Sequence, residues 1–415
     1  METHLASWMK ATPDGNLAES ILRRCVHCGF CTATCPTYQL LGDELDGPRG
    51  RIYLIKQVLE GEPASRATQT HLDRCLTCRN CESTCPSGVE YGHLLDVGRK
   101  VVEQQVSRPF GQQVLRVLLR ETLTRAWLFT PAMKIGQRLR SLLPASLRAK
   151  VPAARAAGLL PTPLQLAEHR RQVLMLIGCV QPAMMPSIDA ATIRVLHRIG
   201  IRAEPAQGAG CCGAIRHHLS DEAGALAQAR QNIDAWWPQL ERSEVLLVNA
   251  SGCTVTVKDY AHLLRNDPAY AEKARVVSEK TRDLSQWLPA ELRGFMGRQG
   301  PWSAVQQSIA FHPPCTLQHG QQIRGEVESL LKAFGAKLLP IQDAHLCCGS
   351  AGTYSITQAD LSLALRDRKL QHLHAGAPDS ILSANIGCIS HLQAGTEVPV
   401  RHWIEWVDTQ LAPLG

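Results

Sequence analysis

The sequence predicts a multi-domain α + α/β fold, with an N-terminal α-helical domain followed by two repeated α/β domains. Three observations carry this. Eight cysteines near the N-terminus fall into two copies of one spacing. A different cysteine pattern recurs further on, offset by 136 residues. In that later part strand-sized apolar stretches alternate with amphipathic helical segments.

Cys25, Cys28, Cys31 and Cys35 read C-x2-C-x2-C-x3-C-P, closed by Pro36. Cys75, Cys78, Cys81 and Cys85 repeat it, closed by Pro86. This is the bacterial ferredoxin run for two [4Fe–4S] clusters, each cubane taking one soft thiolate per iron. The fourth cysteine of such a run ligates the other cluster. The expected sets are therefore Cys25, Cys28, Cys31 and Cys85 for one cluster, and Cys75, Cys78, Cys81 and Cys35 for the other. Structural zinc would use two C-x2-C pairs across a longer gap. Disulfides need an oxidising compartment, and residues 1–24 carry no apolar export segment behind a basic start. His27 lies inside the first run, with Thr77 at the matching place in the second. It is expected to hydrogen-bond sulfur or face solvent, not to ligate. Between the runs, Gly50 to Glu60 reads as a helix with Ile52, Ile55, Val58 and Leu59 on one face; Tyr91 to Val106 reads as another. Residues 1–105 are expected to form an α-helical ferredoxin-type domain.

Residues 106–168 are expected to be a basic, proline-containing linker. Between Val106 and Leu160 stand ten Lys or Arg and one acid, Glu121, although the whole chain of 415 residues is only +7. Phe110–Leu128 is predicted helical; Trp127, Leu128 and Phe129 precede Pro131, and Pro144, Pro152, Pro161 and Pro163 then break any long helix. Trp, Phe and Leu interleaved with Arg fit an anionic membrane surface better than nucleic acid, so peripheral membrane contact is expected through 108–155. A solvated linker is the plainer alternative. The longest apolar stretches, Val173–Ile177 and Val245–Val248, fall far short of the ~18–20 residues that span a bilayer.

The repeat defines two expected domains, 169–295 and 304–415. The first carries Cys179, Cys211-Cys212-Gly213 and Cys253; the second carries Cys315, Cys347-Cys348-Gly349 and Cys388. Each has a helix ending near a glycine (Gly200, Gly335) before its Cys-Cys-Gly, and a long helix after it, about Asp221–Trp236 and Gln358–His374. Each then has a strand expected to run into the last cysteine, and a closing segment with Trp287 or Trp406. Strands alternating with helices predict parallel sheets, with the cysteines where strands end. The fold class is thus a ferredoxin-type domain followed by two α/β CCG domains. The CCG cysteines have three readings: further metal or Fe–S ligation, thiol redox chemistry, or packing. His312 and His345 stand nearby as possible extra ligands, and neither has a histidine counterpart in the first copy. Gly208 to Gly213 matches G-x-G-x-x-G with Asp234 downstream, but the second copy lacks the first two glycines, so no flavin or nicotinamide site is expected here.

Two ferredoxin runs joined to two CCG domains resemble the iron–sulfur subunits of respiratory 2-hydroxyacid and glycerol-3-phosphate dehydrogenases, and of heterodisulfide reductase. The segment RCVHCGFCTATCPTYQLLGDELDGPRGRIYLIKQVLEG, Arg24 to Gly61, is most similar to the iron–sulfur subunits of glycolate oxidase (glycolate dehydrogenase). That resemblance implies an electron-transfer subunit with no catalytic residue of its own. FAD sits on partner dehydrogenase subunits, which oxidise glycolate to glyoxylate. A membrane quinone accepts the electrons. It also implies a cytoplasmic chain, peripheral on the inner face of the membrane. The alternatives are a glycerol-3-phosphate or lactate dehydrogenase subunit, or a heterodisulfide-reductase-like enzyme working at the CCG sites. One departure stands out: heterodisulfide-reductase-type domains end in C-x2-C, whereas Ala250 and Asn385 stand three residues before Cys253 and Cys388.

Overall fold

Short helices wrap the two cysteine runs. A computed structural model describes residues 1–162, 165, 166, 169–299 and 307–411. Pro163, and the 304–306 and 412–415 ends of the second expected repeat, lie outside the described residues. Helix α1 (Pro13–Arg24) starts at Thr12, whose side chain accepts from the Gly15 N–H, with proline at the first helical position. It delivers the chain to Cys25. The loop then turns through His27 and Gly29, at φ 55° and 84°, into α2 (Phe30–Ala33). Cys35 caps α3 (Pro36–Leu41). Helices α4 (Pro48–Leu59) and α5 (Arg66–Asp73) carry the chain to the second run. That run copies the first: Thr77 and Arg79 take left-handed φ of 54° and 58° before α6 (Asn80–Thr84). Helix α7 (Tyr91–Gln105) comes next. Ile52, Ile55 and Leu59 of α4 pack against Leu94 and Leu95 of α7 in one core. The predicted helical face of residues 50–60 is the buried one.

The linker differs from the sequence expectation. Helix α8 (Phe110–Leu123) stops five residues before Leu128, and Pro131 lies inside α9 (Ala126–Arg138). Pro131 is the sixth residue of α9. The first four N–H groups of a helix have no partner anyway, so this proline removes a single bond close to the start. Phe129 and Met133 bury against Ala183 and so anchor α9 on the first CCG repeat.

Each repeat builds a four-stranded, all-parallel sheet. The first contains β1 (Arg171–Met175), β2 (Ile201–Pro205), β3 (Leu246–Val248) and β4 (Thr281–Asp283), in the order β2-β1-β3-β4. The second contains β5 (Ser308–His312), β6 (Lys337–Leu338), β7 (Ser380–Ser383) and β8 (Val400–His402), in the order β6-β5-β7-β8. The same strand order in both copies is the architecture that the cysteine repeat foretells. One core runs through both sheets, with Val173 and Leu247 joined to Phe311, Ile381 and Trp403. The Trp403 indole donates to Ser285 Oγ (3.0 Å) across the boundary. Trp287 lies in the helix Leu284–Gln299, which runs past residue 295, and Trp406 in Trp403–Gln410.

One element departs from expectation. The strands do not run into Cys253 and Cys388. Strand β3 ends at Val248 and β7 at Ser383; the cysteines sit in the first turns of the helices Ser251–Lys258 and Ile386–Gln393. Only two residues separate each strand from the helix that follows, so the change of period falls in too short a window to read.

Candidate metal centres

The two ferredoxin runs interlock. One cavity is lined by Cys25, Cys28, Cys31 and Cys85 together with Cys81. The other is lined by Cys35, Cys75, Cys78 and Cys81. Each run thus sends its fourth cysteine to the other run's cavity, and Tyr91 borders both. The left-handed residues make this possible, since they curl each C-x2-C-x2-C loop inward.

These cavities suit a cationic, sulfur-seeking group. Burial, reinforced by the neighbouring Cys25, pushes the Cys31 thiol up to about 11. Burial also raises Cys78 and Cys81. Four crowded thiols cannot ionise together unless a cation sits between them. The Tyr91 hydroxyl is buried within reach of Cys75, and Nε2 of His27, which lines the first cavity, is buried without a partner. Tyr91 can donate to sulfur, and His27 can too in its Nε2–H tautomer.

A charged frame that the cysteine spacing does not announce holds the second cavity. Asp46 and Arg51 are almost fully buried. Asp46 pairs with Arg51 (3.4 Å), His71 (3.0 Å) and Arg74 (2.8 Å). Arg51 Nε donates to the His71 carbonyl (2.7 Å), and Thr37 Oγ1 donates to the Asp46 carbonyl (2.8 Å). Thr37 also lies 3.3 Å from Cys35 Sγ. Asp43 to Arg51 carries three acids and two arginines, so nothing in the sequence singles out Asp46 and Arg51.

In the first CCG repeat the thiols succeed one another: Cys179 beside Cys211, Cys211 beside Cys212, Cys212 beside Cys253. The backbone of the pair is tied down, with Asn232 Nδ2 donating to the Cys211 carbonyl and the Tyr260 hydroxyl to that of Cys212, both at 2.8 Å. Burial pushes the carboxyl of Asp189, near Cys253, up to about 6. In the second repeat the thiols succeed one another in the same way, Cys315 beside Cys347, Cys347 beside Cys348 and Cys348 beside Cys388, and the two ends of the row meet different neighbours. Cys315 and Cys347, with Sγ atoms 3.8 Å apart, pack with Leu76 and Cys78 of the second ferredoxin run. Cys348 and Cys388 turn into the sheet core beside His312.

His345 supplies its carbonyl to the fold, accepting from Asn80 Nδ2 (3.3 Å) and from His319 Nε2 (2.8 Å). His319, which no sequence pattern singles out, also meets Ser83 Oγ at 2.8 Å and so joins the second run to the second repeat. Both CCG glycines are left-handed, Gly213 at φ 93° and Gly349 at φ 87°. A Cβ on Gly349 would stand 2.5 Å from the Ser362 carbonyl oxygen. Gly349→Ala is expected to cost about 1–3 kcal/mol, read as a lower urea midpoint.

Residues 21–89 match the model of the 4Fe-4S dicluster domain, and residues 173–258 and 309–393 match that of the cysteine-rich domain. The glycolate oxidase iron–sulfur subunit of Escherichia coli (strain K12) is 53% identical over 412 residues, 99% of each chain. The chain belongs to the glycolate oxidase iron–sulfur subunit family. A probable member from Bacillus subtilis (strain 168) is 31% identical over 407 residues, covering 91% of this chain and 90% of that one. Lactate utilization protein A of the same organism is 22% identical, covering 53% of this chain and 90% of its own. A hypothetical protein from Helicobacter pylori superposes with a TM-score of 0.53 at 10% identity, covering 98% of this chain and 74% of that one, a likeness of fold alone. Within this family chain, no helix among the described residues is long and apolar enough to cross a membrane.

Proposed function

We propose that this chain is the electron-transfer subunit of a flavin-dependent glycolate (2-hydroxyacid) dehydrogenase, carrying electrons from FAD-bearing partner subunits toward a membrane quinone. In this reading Cys25, Cys28, Cys31 and Cys85 hold one [4Fe–4S] cluster; Cys75, Cys78, Cys81 and Cys35 hold the other. The observation that carries it is the exchange of fourth cysteines between two adjoining cavities. When bound, the clusters supply one-electron carriage. The chain's own residues position and tune: thiolates ligate, Tyr91 and His27 offer hydrogen bonds, and apolar walls such as Ile52 and Leu76 exclude water. Glycolate oxidation to glyoxylate belongs to the flavoprotein partners. The purified chain alone is expected to show no glycolate-dependent dye reduction, with activity appearing only when flavoprotein subunits are added. Turnover by the single chain would defeat the reading.

The same proposal seats the chain on the cytoplasmic face of the membrane. On α8, Phe110, Val114, Val117 and Leu118 share one face and are exposed, and on and just after α9 so are Trp127, Leu128, Ile135, Leu139 and Leu142. Phe110 is 82% and Trp127 72% accessible. Lys134 and Arg138 lie among them and, among the described residues, meet no carboxylate. An apolar face rimmed by free cations suits the boundary of an anionic bilayer. Burying Phe110 and Trp127 contributes about 1.5–3 kcal/mol each. The double variant Phe110→Glu/Trp127→Glu is expected to bind anionic vesicles at least about tenfold more weakly in flotation; equal binding would remove the membrane role.

A further inference from the structure

We propose that His312, Cys348 and Cys388 bind a single divalent ion of the zinc class, in a site that only the second CCG repeat possesses. Their ligand atoms lie within 4.8 Å of one another, and all three residues are buried. His312 is 1% exposed, yet neither ring nitrogen has a hydrogen-bond partner. A buried imidazole left unpaired costs free energy, and a metal ion on one ring nitrogen removes part of that cost. Two thiolates and one neutral imidazole are a ligand set for zinc, and the two thiolate charges balance a divalent ion in a dry site. Cys347 is within hydrogen-bond reach of Cys348. The geometry also explains why the adjacent cysteines diverge. Cys347 and Cys315 face the ferredoxin run, while Cys348 faces His312.

The ion would join three loops at the C-terminal edge of the sheet: the end of β5 through His312, the Cys-Cys-Gly loop, and the helix after β7 through Cys388. That fixes the Cys-Cys-Gly loop, whose outer side walls the second ferredoxin run. In the first repeat the place of His312 is taken by Leu176, buried in the core. The site is independent of the two cubanes, because it uses none of their cysteines.

The test is metal content of the full chain, purified anaerobically and dialysed against a weak chelator, with zinc and iron measured together. About one zinc per chain is expected. His312→Leu, which imports the first repeat's own residue, is expected to lose the zinc and keep its iron. His312→Cys, which restores a ligand, is expected to retain it. Zinc-edge absorption should give sulfur at about 2.3 Å and nitrogen at about 2.0–2.1 Å. Zinc unchanged in His312→Leu would overturn the proposal. So would absence of zinc from the parent chain, or iron in its place that leaves with His312. Loss of all iron with zinc retained would count against the cubane reading alone.

Discussion

Replacing Cys81 by alanine is expected to cut the iron of the purified chain from about eight atoms to about four or fewer, taking four per cubane. Cys81 is chosen because it lines both cavities. Alanine leaves one corner without a thiolate, and serine is avoided because its oxygen can still ligate. Helices α2 and α6 have four and five residues, too short to persist without packing. Much of their order is therefore expected to come from metal binding, whose free energy is folding free energy. The variant should lose about half or more of its visible absorption together with thermal stability, and a complex assembled with it should lose quinone reduction by at least about a hundredfold. Cys253→Ala in the first CCG repeat is the contrast, expected to leave the iron at about eight. Unchanged iron in Cys81→Ala would refute the ligand assignment.

What is legible in the sequence is legible for a local reason. Cysteines three residues apart are fixed by a single turn of backbone, so their spacing alone exposes the loops around Cys25 and Cys75. The CCG repeat is legible because two copies check each other. The rest depends on contacts distant in sequence. Nothing near Cys347 and Cys348 announces that one faces Cys78 and the other His312; that division comes from docking the second repeat on the ferredoxin run through Asn80, Ser83 and His319. The start of α9 is not legible around Pro131, because a proline's cost depends on how far inside the helix it lies. The helical turn at Cys253 is hidden because only Asn249 and Ala250 separate β3 from the helix, too short a gap to show a change of period. Asp46 is hidden because its partners Arg51, His71 and Arg74 converge only once α4 and α5 have packed.

That last group sets the largest expected stability effect. Asp46→Ala should lower the stability of the ferredoxin-type domain by about 3–5 kcal/mol, the usual cost of leaving a buried charge without its counter-ion. Arg51 is 1% exposed and cannot turn to solvent. Its other contacts, the His71 carbonyl at 2.7 Å and the Thr37 hydroxyl at 3.2 Å, are neutral oxygens that stabilise its charge less than a carboxylate does. The frame holds Thr37 beside Cys35, while Arg74 directly precedes Cys75, so both runs should loosen together. Urea unfolding tracked by far-ultraviolet dichroism and by visible absorption checks this, and both midpoints should fall. Asp46→Asn keeps the shape and removes the charge, so most of the loss should persist. Adding Arg51→Met to Asp46→Leu should recover part of it, because an apolar pair of similar volume carries no desolvated ion. If Asp46→Ala unfolds at the parent midpoint, the buried carboxylate is not what holds the two runs in register.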